Sequence, residues 1–222
     1  MRAASSTMRA TLIRSDALVA SPWKNGGGVT REIAVHPSRE GAGGALDAFA
    51  WRVSVADVAE AGPFSRFPGV ERTLVLLAGA GMTLVESDGA RHALRAPLDR
   101  VAFAGETEIA AELHDGPTRD FNLMVRRDAA RGGVELWRSG AAYPLRADTV
   151  LLFCASGAPV VDLGDGASVA LSAFDTLRID VCADVPARAP ASGERRCAIR
   201  GDGVLFAVGV TLLQDNAQGS SG

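Results

Sequence analysis

The chain has 222 residues, of which 47% are hydrophobic and 22% charged, values that exclude general disorder and are ordinary for a folded protein. Its net charge is −3 and its isoelectric point about 5.6, so a basic nucleic-acid-binding surface is not expected. No apolar run reaches the length of a signal peptide core or a membrane-spanning helix, so we expect a cytoplasmic protein with no membrane partner.

Short β-prone segments follow one another along almost the whole chain, and most are bounded by Gly, Pro, Asp or Ser. This spacing predicts an all-β sandwich or barrel instead of βαβ units. A disordered leader is expected at 1–8, a flexible loop at 38–46 and a frayed tail at 216–222, with short helices only at 55–62 and 128–133. The predicted strands are 30–36, 49–55, 72–79, 81–87, 100–105, 121–127, 134–139, 149–155, 158–163, 167–173, 176–182 and 203–210.

An internal repeat is visible between residues 74–103 and residues 150–179, each of which has the pattern strand–turn–strand–turn–strand. It predicts two stacked β modules, an N-terminal one at 9–133 and a C-terminal one at 134–215. The first is dense in Trp, Arg, Asn and Asp, whereas the second is mostly Ala, Val, Leu and Gly, which is typical of a scaffold. Hairpin turns are predicted at Gly79–Gly81, Asp88–Gly89 and Asp165–Gly166.

The cysteines and histidines are widely spaced and form none of the usual metal-binding or redox patterns. We therefore expect no bound metal and no cofactor. Cys154 and Cys182 lie in apolar runs and are expected to be inert buried thiols. The remaining residues of these two types are Cys197, His36, His92 and His114.

Three segments have unusual compositions: 23–33 with three consecutive glycines, 49–72, and 116–124. In the predicted strand 49–55, side-chain alternation places Trp51 on one face and Arg52 with Ser54 on the other. The strand therefore has one apolar face and one mixed polar face. Taken by itself, such a polar face is expected to be solvated.

These segments carry a family resemblance. WKNGGGVTREI at 23–33, FAWRVSVADVAEAGPFSRFPGVERTL at 49–74 and GPTRDFNLMVRR at 116–127 resemble the hallmark segments of the HutD/Ves family, in family order. The resemblance implies a cupin fold (an RmlC-like jelly roll) with two cupin modules in one chain, a bicupin, associated with bacterial histidine utilisation. It further implies metal-independent binding of a small anionic metabolite, such as formylglutamate or urocanate, in the N-terminal module, which would tune the pathway without turnover.

The match to the family motifs supplies the candidate ligand-binding residues. Polar side chains would point into the barrel cavity, where an arginine fork suits a carboxylate, and aromatic side chains with one methionine would form its walls. The polar candidates are Asn25, Arg31, Arg52, Ser54, Arg72, Asp120 and Asn122, and the apolar candidates are Trp23, Trp51, Phe64, Phe67 and Met124.

Other interpretations remain open. Arg52 or Arg72 would serve only as structural support if each merely neutralised Asp120 or Glu32. A metal-free cupin enzyme, an isomerase or hydrolase, would use Asp120 or Glu32 as its general base. A third alternative is a protein-interaction module, and a homodimer is compatible with each of these functions.

Overall fold

The structure is a computed structural model that describes residues 8–38, 48–164, 166–181 and 195–214. Within these residues the chain forms β-strands and one 3-10 turn at Ser15–Ala17, with no α-helix. The expected all-β class is confirmed. Residues 1–7 of the predicted leader, most of the loop at 38–46, Cys182 and the tail lie outside the described residues. Met8, the last residue of the predicted leader, instead begins a β-strand. No helix among the described residues is long and apolar enough to cross a membrane.

All strand pairings are antiparallel. In chain order the strands are β1 (Met8–Ile13), β2 (Ala20–Pro22), β3 (Gly28–Pro37), β4 (Phe49–Val58), β5 (Gly62–Pro63), β6 (Val70–Ala78), β7 (Met82–Glu86), β8 (Arg91–Leu94), β9 (Arg100–Ala104), β10 (Ile109–Leu113), β11 (Thr118–Arg126), β12 (Ala130–Arg138), β13 (Ala141–Pro144), β14 (Thr149–Gly157), β15 (Val160–Asp162), β16 (Ser168–Ala170), β17 (Thr176–Val181), β18 (Arg196–Arg200) and β19 (Gly203–Leu212).

The strands form four sheets. Sheet I has the order β2-β3-β4-β11-β6-β9 and sheet II the order β5-β10-β7-β8. Sheet III has the order β1-β17-β14-β19-β12 and sheet IV the order β13-β18-β15-β16. We refer to sheets I and II as the first sheet pair, and to sheets III and IV as the second sheet pair.

Sheet I is buried on both faces. One face packs against sheet III through a core in which the rings of Phe121, Phe153 and Phe206 are in contact. The other face packs against sheet II through a core that includes Leu76 and Leu84. Each such side chain contributes about 1.5–3 kcal/mol when fully buried, so these cores hold the sheets together. Polar residues on the face toward sheet II are therefore enclosed in the first sheet pair.

The repeated segments occupy equivalent places in the two sheet pairs. Strands β4-β11-β6-β9 of sheet I match β12-β19-β14-β17 of sheet III, and the four strands of sheet II match those of sheet IV in order. Leu98 and Phe174, at corresponding points of the repeat, are the non-glycine residues with positive φ among those described. Each is followed by an aspartate that accepts backbone N–H groups from the preceding turn.

The predicted module boundary between residues 133 and 134 does not coincide with a break between strands. β12 runs from Ala130 to Arg138 across that position, and β1, at the start of the described chain, pairs with β17 in sheet III. The first strand is thus contributed to the second sheet pair.

Both predicted helices are wrong. Residues 55–58 continue β4, because the alternation that buries Val53 and Val55 against sheet III extends to Val58, which is buried on the opposite face. Residues 127–129 form a turn, and β12 begins at Ala130. Burial on a pleated sheet outweighs the helix propensity of the alanines in the first segment, whereas in the second the pairing of β12 with β19 does so, since Ala130 is buried and Arg131 to Gly133 are exposed.

The turn predictions have mixed outcomes. Asp88–Gly89 joins the antiparallel neighbours β7 and β8, as predicted. Gly79–Gly81 does not form a hairpin, because β6 lies in sheet I and β7 in sheet II, so the turn connects two sheets. Gly166 has a positive φ between the paired strands β15 and β16, and Asp165 lies outside the described residues.

Gly81 and Gly89 make a matched pair for testing the turns. Both have positive φ, but a Cβ at Gly81 would lie 2.4 Å from the Leu94 carbonyl oxygen, whereas a Cβ at Gly89 would meet nothing within 4 Å. We expect Gly89→Ala to cost about 1–2 kcal/mol of unfolding free energy, from the left-handed backbone alone. Gly81→Ala is expected to cost at least about twice as much, because the backbone must also shift. Urea unfolding of both variants measures this, and equal losses would contradict the packing at Gly81.

Cys154 and Cys197 are buried thiols, and burial raises the pKa of each to about 11. They are in the unreactive protonated form at neutral pH, which agrees with the inert role expected for Cys154.

Candidate functional site

The face of sheet I toward sheet II carries the polar residues of the three unusual segments. Register places Ser54 beside Asn122, and Ala56 beside Asp120, on the adjacent strands β4 and β11. Arg72 of β6 lies beside Met124 of β11 in the next row. Alternation along each strand directs these side chains away from the sheet III core and into the first sheet pair.

Arg72 is the most buried arginine of this face, at 5% exposure. Its Nη1 donates to the carbonyl oxygen of Ser65 at 3.3 Å, while its Nε has no hydrogen-bond partner among the described residues. Three rings surround the guanidinium, with centroids 5.5 Å away for Phe64, 5.5 Å for Phe67 and 5.0 Å for Phe103. Burial lowers the pKa of Arg72 to about 10, so the group is charged at neutral pH.

Asp120 is 1% exposed, and neither of its carboxylate oxygens has a hydrogen-bond partner within the described part of the chain. Burial raises its pKa to about 7, although the charge of Arg72 acts in the opposite direction. The Asn122 Oδ1 and the Thr118 Oγ1 are likewise buried without a described partner. Leaving a buried polar group unpaired costs about 1–3 kcal/mol, so this cluster is incomplete as it stands.

Arg52 differs from Arg72 because it has a partner. Its Nε donates to Glu32 Oε2 at 2.9 Å, and Glu32 is about half exposed. The ion pair with Glu32 is the contact that the structural-support interpretation expects for Arg52. Arg72 and Asp120 form no hydrogen bond with each other, but the charge of each acts on the pKa of the other, so the same interpretation stays open for this pair.

The Trp-Lys-Asn-Gly-Gly-Gly segment forms a tight turn at the edge of this face. Trp23 Nε1 donates to Thr30 Oγ1 at 2.8 Å, and its ring contacts that of Phe64 edge-on at 6.2 Å. Asn25 is exposed, and its Oδ1 accepts the N–H of Gly27 at 3.2 Å, so it shapes the turn. A Cβ at Gly28 would lie 2.5 Å from the Asp57 carbonyl oxygen, which explains why this position requires glycine.

Three of the candidate residues are not on this face, namely Asn25, which lies in the exposed turn, and the pair Trp51 and Arg31. Trp51 lies in the core between sheets I and III, stacked on His36 at 6.0 Å. Arg31 is on the same side as Trp51, where it donates to Asp57 Oδ2 at 2.5 Å, and Arg119 donates to Asp57 Oδ1. The prediction that these two point into the barrel is corrected for a simple reason: they occupy the other alternation phase of their strands.

Phe67 and Met124 belong to a small buried cluster with Phe49 at the Arg72 end of the face. The candidate residues that the structure does bring together on this face are Trp23, Arg52, Ser54, Phe64, Phe67, Arg72, Asp120, Asn122 and Met124.

Sequence reasoning missed Thr118 and Phe103. Thr118 is two residues before Asp120, so the same alternation that placed Asp120 and Asn122 could have revealed it. Phe103 reaches Arg72 only through the pairing of β9 with β6, and nothing in the sequence specifies that pairing.

The histidines lie apart, His36 in β3, His92 in β8 and His114 directly after β10, and they have separate partners. His92 Nε2 is 2.6 Å from Glu86 Oε1, and His114 Nε2 is 2.8 Å from Thr83 Oγ1. Among the residues that the structure describes, no three His, Cys, Asp or Glu side chains are grouped so that they could hold a metal ion.

Comparisons with known proteins agree with the motifs. The family model HutD matches residues 15–198. An uncharacterized 21.2 kDa protein in the hutC 3′ region of Pseudomonas putida is 38% identical over 169 residues, which cover 76% of this chain and 86% of that protein. Protein Ves of Escherichia fergusonii is 39% identical over 115 residues, or 51% of this chain and 56% of that protein.

Solved structures extend the similarity to the fold. HutD from Pseudomonas fluorescens SBW25 is 30% identical with a TM-score of 0.75, covering 93% of this chain and all of that one. Ylba from Escherichia coli is 12% identical with a TM-score of 0.62 over 94% of this chain and 93% of that one, a likeness of fold alone. From its motifs, its family match and its curated relatives, this chain belongs to the HutD/Ves family.

Proposed function

We propose that the chain binds a small anionic metabolite inside the first sheet pair, with Arg72 as the anchor. The single observation that supports this most is that the Nε of the buried, charged Arg72 has no hydrogen-bond partner among the described residues, and neither has Asn122 Oδ1, one row away on the adjacent strand β11. A carboxylate at Arg72 would complete its hydrogen bonding, and an amide or N–H at the other end of the ligand would satisfy Asn122. The rings around Arg72 would exclude water from that contact.

The protonation of Asp120 supports an anion as the ligand. With a pKa near 7, Asp120 is largely neutral just below neutral pH, so the charge of Arg72 is not cancelled. A neutral carboxyl group can also donate a hydrogen bond to a ligand oxygen, which a carboxylate cannot.

We infer the biological setting from the relatives. The Pseudomonas putida relative is described by its place in the hutC 3′ region, and the family is that of HutD. A formylglutamate- or urocanate-like acid is therefore the proposed ligand, and tuning of histidine utilisation in the cytoplasm is the proposed role. Each sheet pair would be one cupin module, with β1 lent to the second module.

A thermal-shift screen tests ligand binding. Formylglutamate, urocanate, glutamate and histidine are added to the purified protein. N-ethylformamide, which has the formamide group but no carboxylate, is the neutral comparison. We expect at least one of the acids to raise the melting temperature with saturable dependence, whereas the neutral compound does not. Absence of any shift up to millimolar concentration would contradict the proposal.

Metal-free catalysis is the second candidate, and Asp120 is the observation that favours it. A buried carboxyl group with a pKa of about 7, whose oxygens have no hydrogen-bond partner within the described residues, is poised to accept a proton from a substrate near neutral pH. Proton NMR of each acid that binds, recorded before and after prolonged incubation with the protein, distinguishes the candidates. A new product or exchange of a substrate proton would favour the enzyme.

A further inference from the structure

The outer edge of β12 lies outside the proposed ligand site. β12 is the last strand of sheet III, paired on one side with β19 over its whole length. Most of its residues are exposed, among them Leu136 at 39%. A long exposed edge strand presents backbone groups that can pair with another strand.

The backbone groups that point outward can be identified by their partners. Val134 O accepts from Arg100, and the N–H and carbonyl of Arg138 bond to the Tyr143 hydroxyl, neither of which belongs to β19. Ala129 O, in contrast, accepts from Leu213, which follows β19. In an antiparallel strand the backbone N–H and C=O groups of successive residues point alternately to the two sides. The backbone groups of the even-numbered residues of β12 therefore point away from β19. Gly132 and Leu136 are therefore outward, and neither has a side-chain partner on its backbone among the described residues. Ala130 is outward as well, and its carbonyl oxygen accepts from Arg131 Nη1 at 3.0 Å, so Arg131 must move when Ala130 pairs.

We propose that β12 pairs antiparallel with β12 of a second copy, joining two copies of sheet III edge to edge. In this pairing an even-numbered residue of one copy lies opposite an even-numbered residue of the other. The midpoint between two even residue numbers is itself a residue number, so the two-fold axis passes through a residue and not between two residues. An axis at Gly133 sets Gly132 opposite Val134, and Ala130 opposite Leu136. Gly133 is exposed, and a Cβ there would meet nothing within 4 Å, so the close approach on the axis is unobstructed.

Charge complementarity selects this register. With the axis at Gly133, Arg131 of one copy lies opposite Glu135 of the other, and symmetry makes the pair occur twice. Both side chains are exposed, and each has a contact in its own chain that the new ion pair would replace or share. Arg131 Nη1 donates to the carbonyl oxygens of Arg127 and Ala130, and Trp137 Nε1 donates to Glu135 Oε2 at 2.9 Å. The same register brings Arg138 opposite the exposed turn residue Asp128. An axis at Glu135 would place two like charges directly opposite, which destabilises a sheet.

Charge reversal tests the pairing in the full chain, by sedimentation velocity over a range of concentrations. We expect the unaltered protein to dimerise with rising concentration. Arg131→Glu alone and Glu135→Arg alone should each raise the dimer dissociation constant by about tenfold or more, because each creates two like-charge contacts. The double variant, Arg131→Glu with Glu135→Arg, should dimerise again.

Glu60→Arg is the control, because it makes the same charge change as Glu135→Arg at an exposed loop position away from β12 and should leave the dimer intact. Circular dichroism checks that every variant is folded. A protein that stays monomeric to roughly 100 μM would overturn the proposal. So would single variants as dimeric as the unaltered chain, a double variant that does not recover, or a control that dissociates.

Discussion

Replacing Arg72 by alanine is expected to weaken binding of the anionic ligand about ten- to hundredfold and to abolish the ligand-induced thermal shift. A hydrogen bond to a charged group is worth about 1.5–3 kcal/mol, and Arg72 has an unused Nε donor to offer in a buried setting. Titration calorimetry with the best acid from the screen measures the loss. Unchanged affinity in a folded variant would reject Arg72 as the anchor.

Arg72→Met serves as a second variant, because its unbranched stem keeps part of the packing against Phe64, Phe67 and Phe103. The matched control is Arg31→Ala, on the other face of the same sheet, where Asp57 keeps its second partner Arg119. We expect this control to bind as the unaltered protein does. If Arg31→Ala lost binding and Arg72→Met did not, the ligand would lie on the face of sheet I that carries Arg31, which contradicts binding between sheets I and II.

Replacing Asp120 by asparagine is expected to remove a pH dependence of stability. Burial raises the pKa of Asp120 from 3.8 to about 7, so between these values the folded state holds a proton that the unfolded state releases. The free energy of unfolding therefore falls as the pH rises through this range. The difference corresponds to about 4 kcal/mol, or roughly 10 °C in melting temperature for a chain of this size.

Melting curves of the ligand-free protein from pH 4 to pH 8 measure the effect. The slope due to Asp120 should disappear in Asp120→Asn, which gains stability relative to the unaltered chain at pH 8. Asp57→Asn is the control, and it should keep most of the slope between pH 4 and pH 8. Burial acts to raise the pKa of Asp57, but hydrogen bonds from Arg119 and Arg31 outweigh it and lower the pKa below its ordinary value of 3.8, so the contribution of Asp57 is lost only below this pH range. An Asp120→Asn variant with an unchanged slope would contradict a buried, unpaired carboxyl group.

The sequence predicted the class of the fold and most of one polar face, because both follow from local alternation. Arg52, Ser54, Asp120 and Asn122 all share the phase that alternation assigns them. The family motif contains both Trp51 and Ser54, and both were predicted to line the site. Because side chains alternate along β4, Ser54 points toward sheet II, whereas Trp51 points into the core between sheets I and III.

Long-range pairing accounts for the rest. Phe103 meets Arg72 because β9 joins β6, and the Gly79–Gly81 turn crosses between sheets because β7 pairs with β10 and β8. Neither pairing has a local signal. The short strands β8, β10, β13 and β18 were also missed, because four or five residues carry little periodicity.

A crystal structure of the protein with the acid that gives the largest thermal shift tests the central claim most directly. We expect ligand density between sheets I and II, with a carboxylate oxygen within hydrogen-bond distance of Arg72 Nε and a donor group facing Asn122 Oδ1. Ligand density elsewhere, for example in the open groove between Glu71, Arg127 and Arg131, with Arg72 Nε still unpaired, would contradict it.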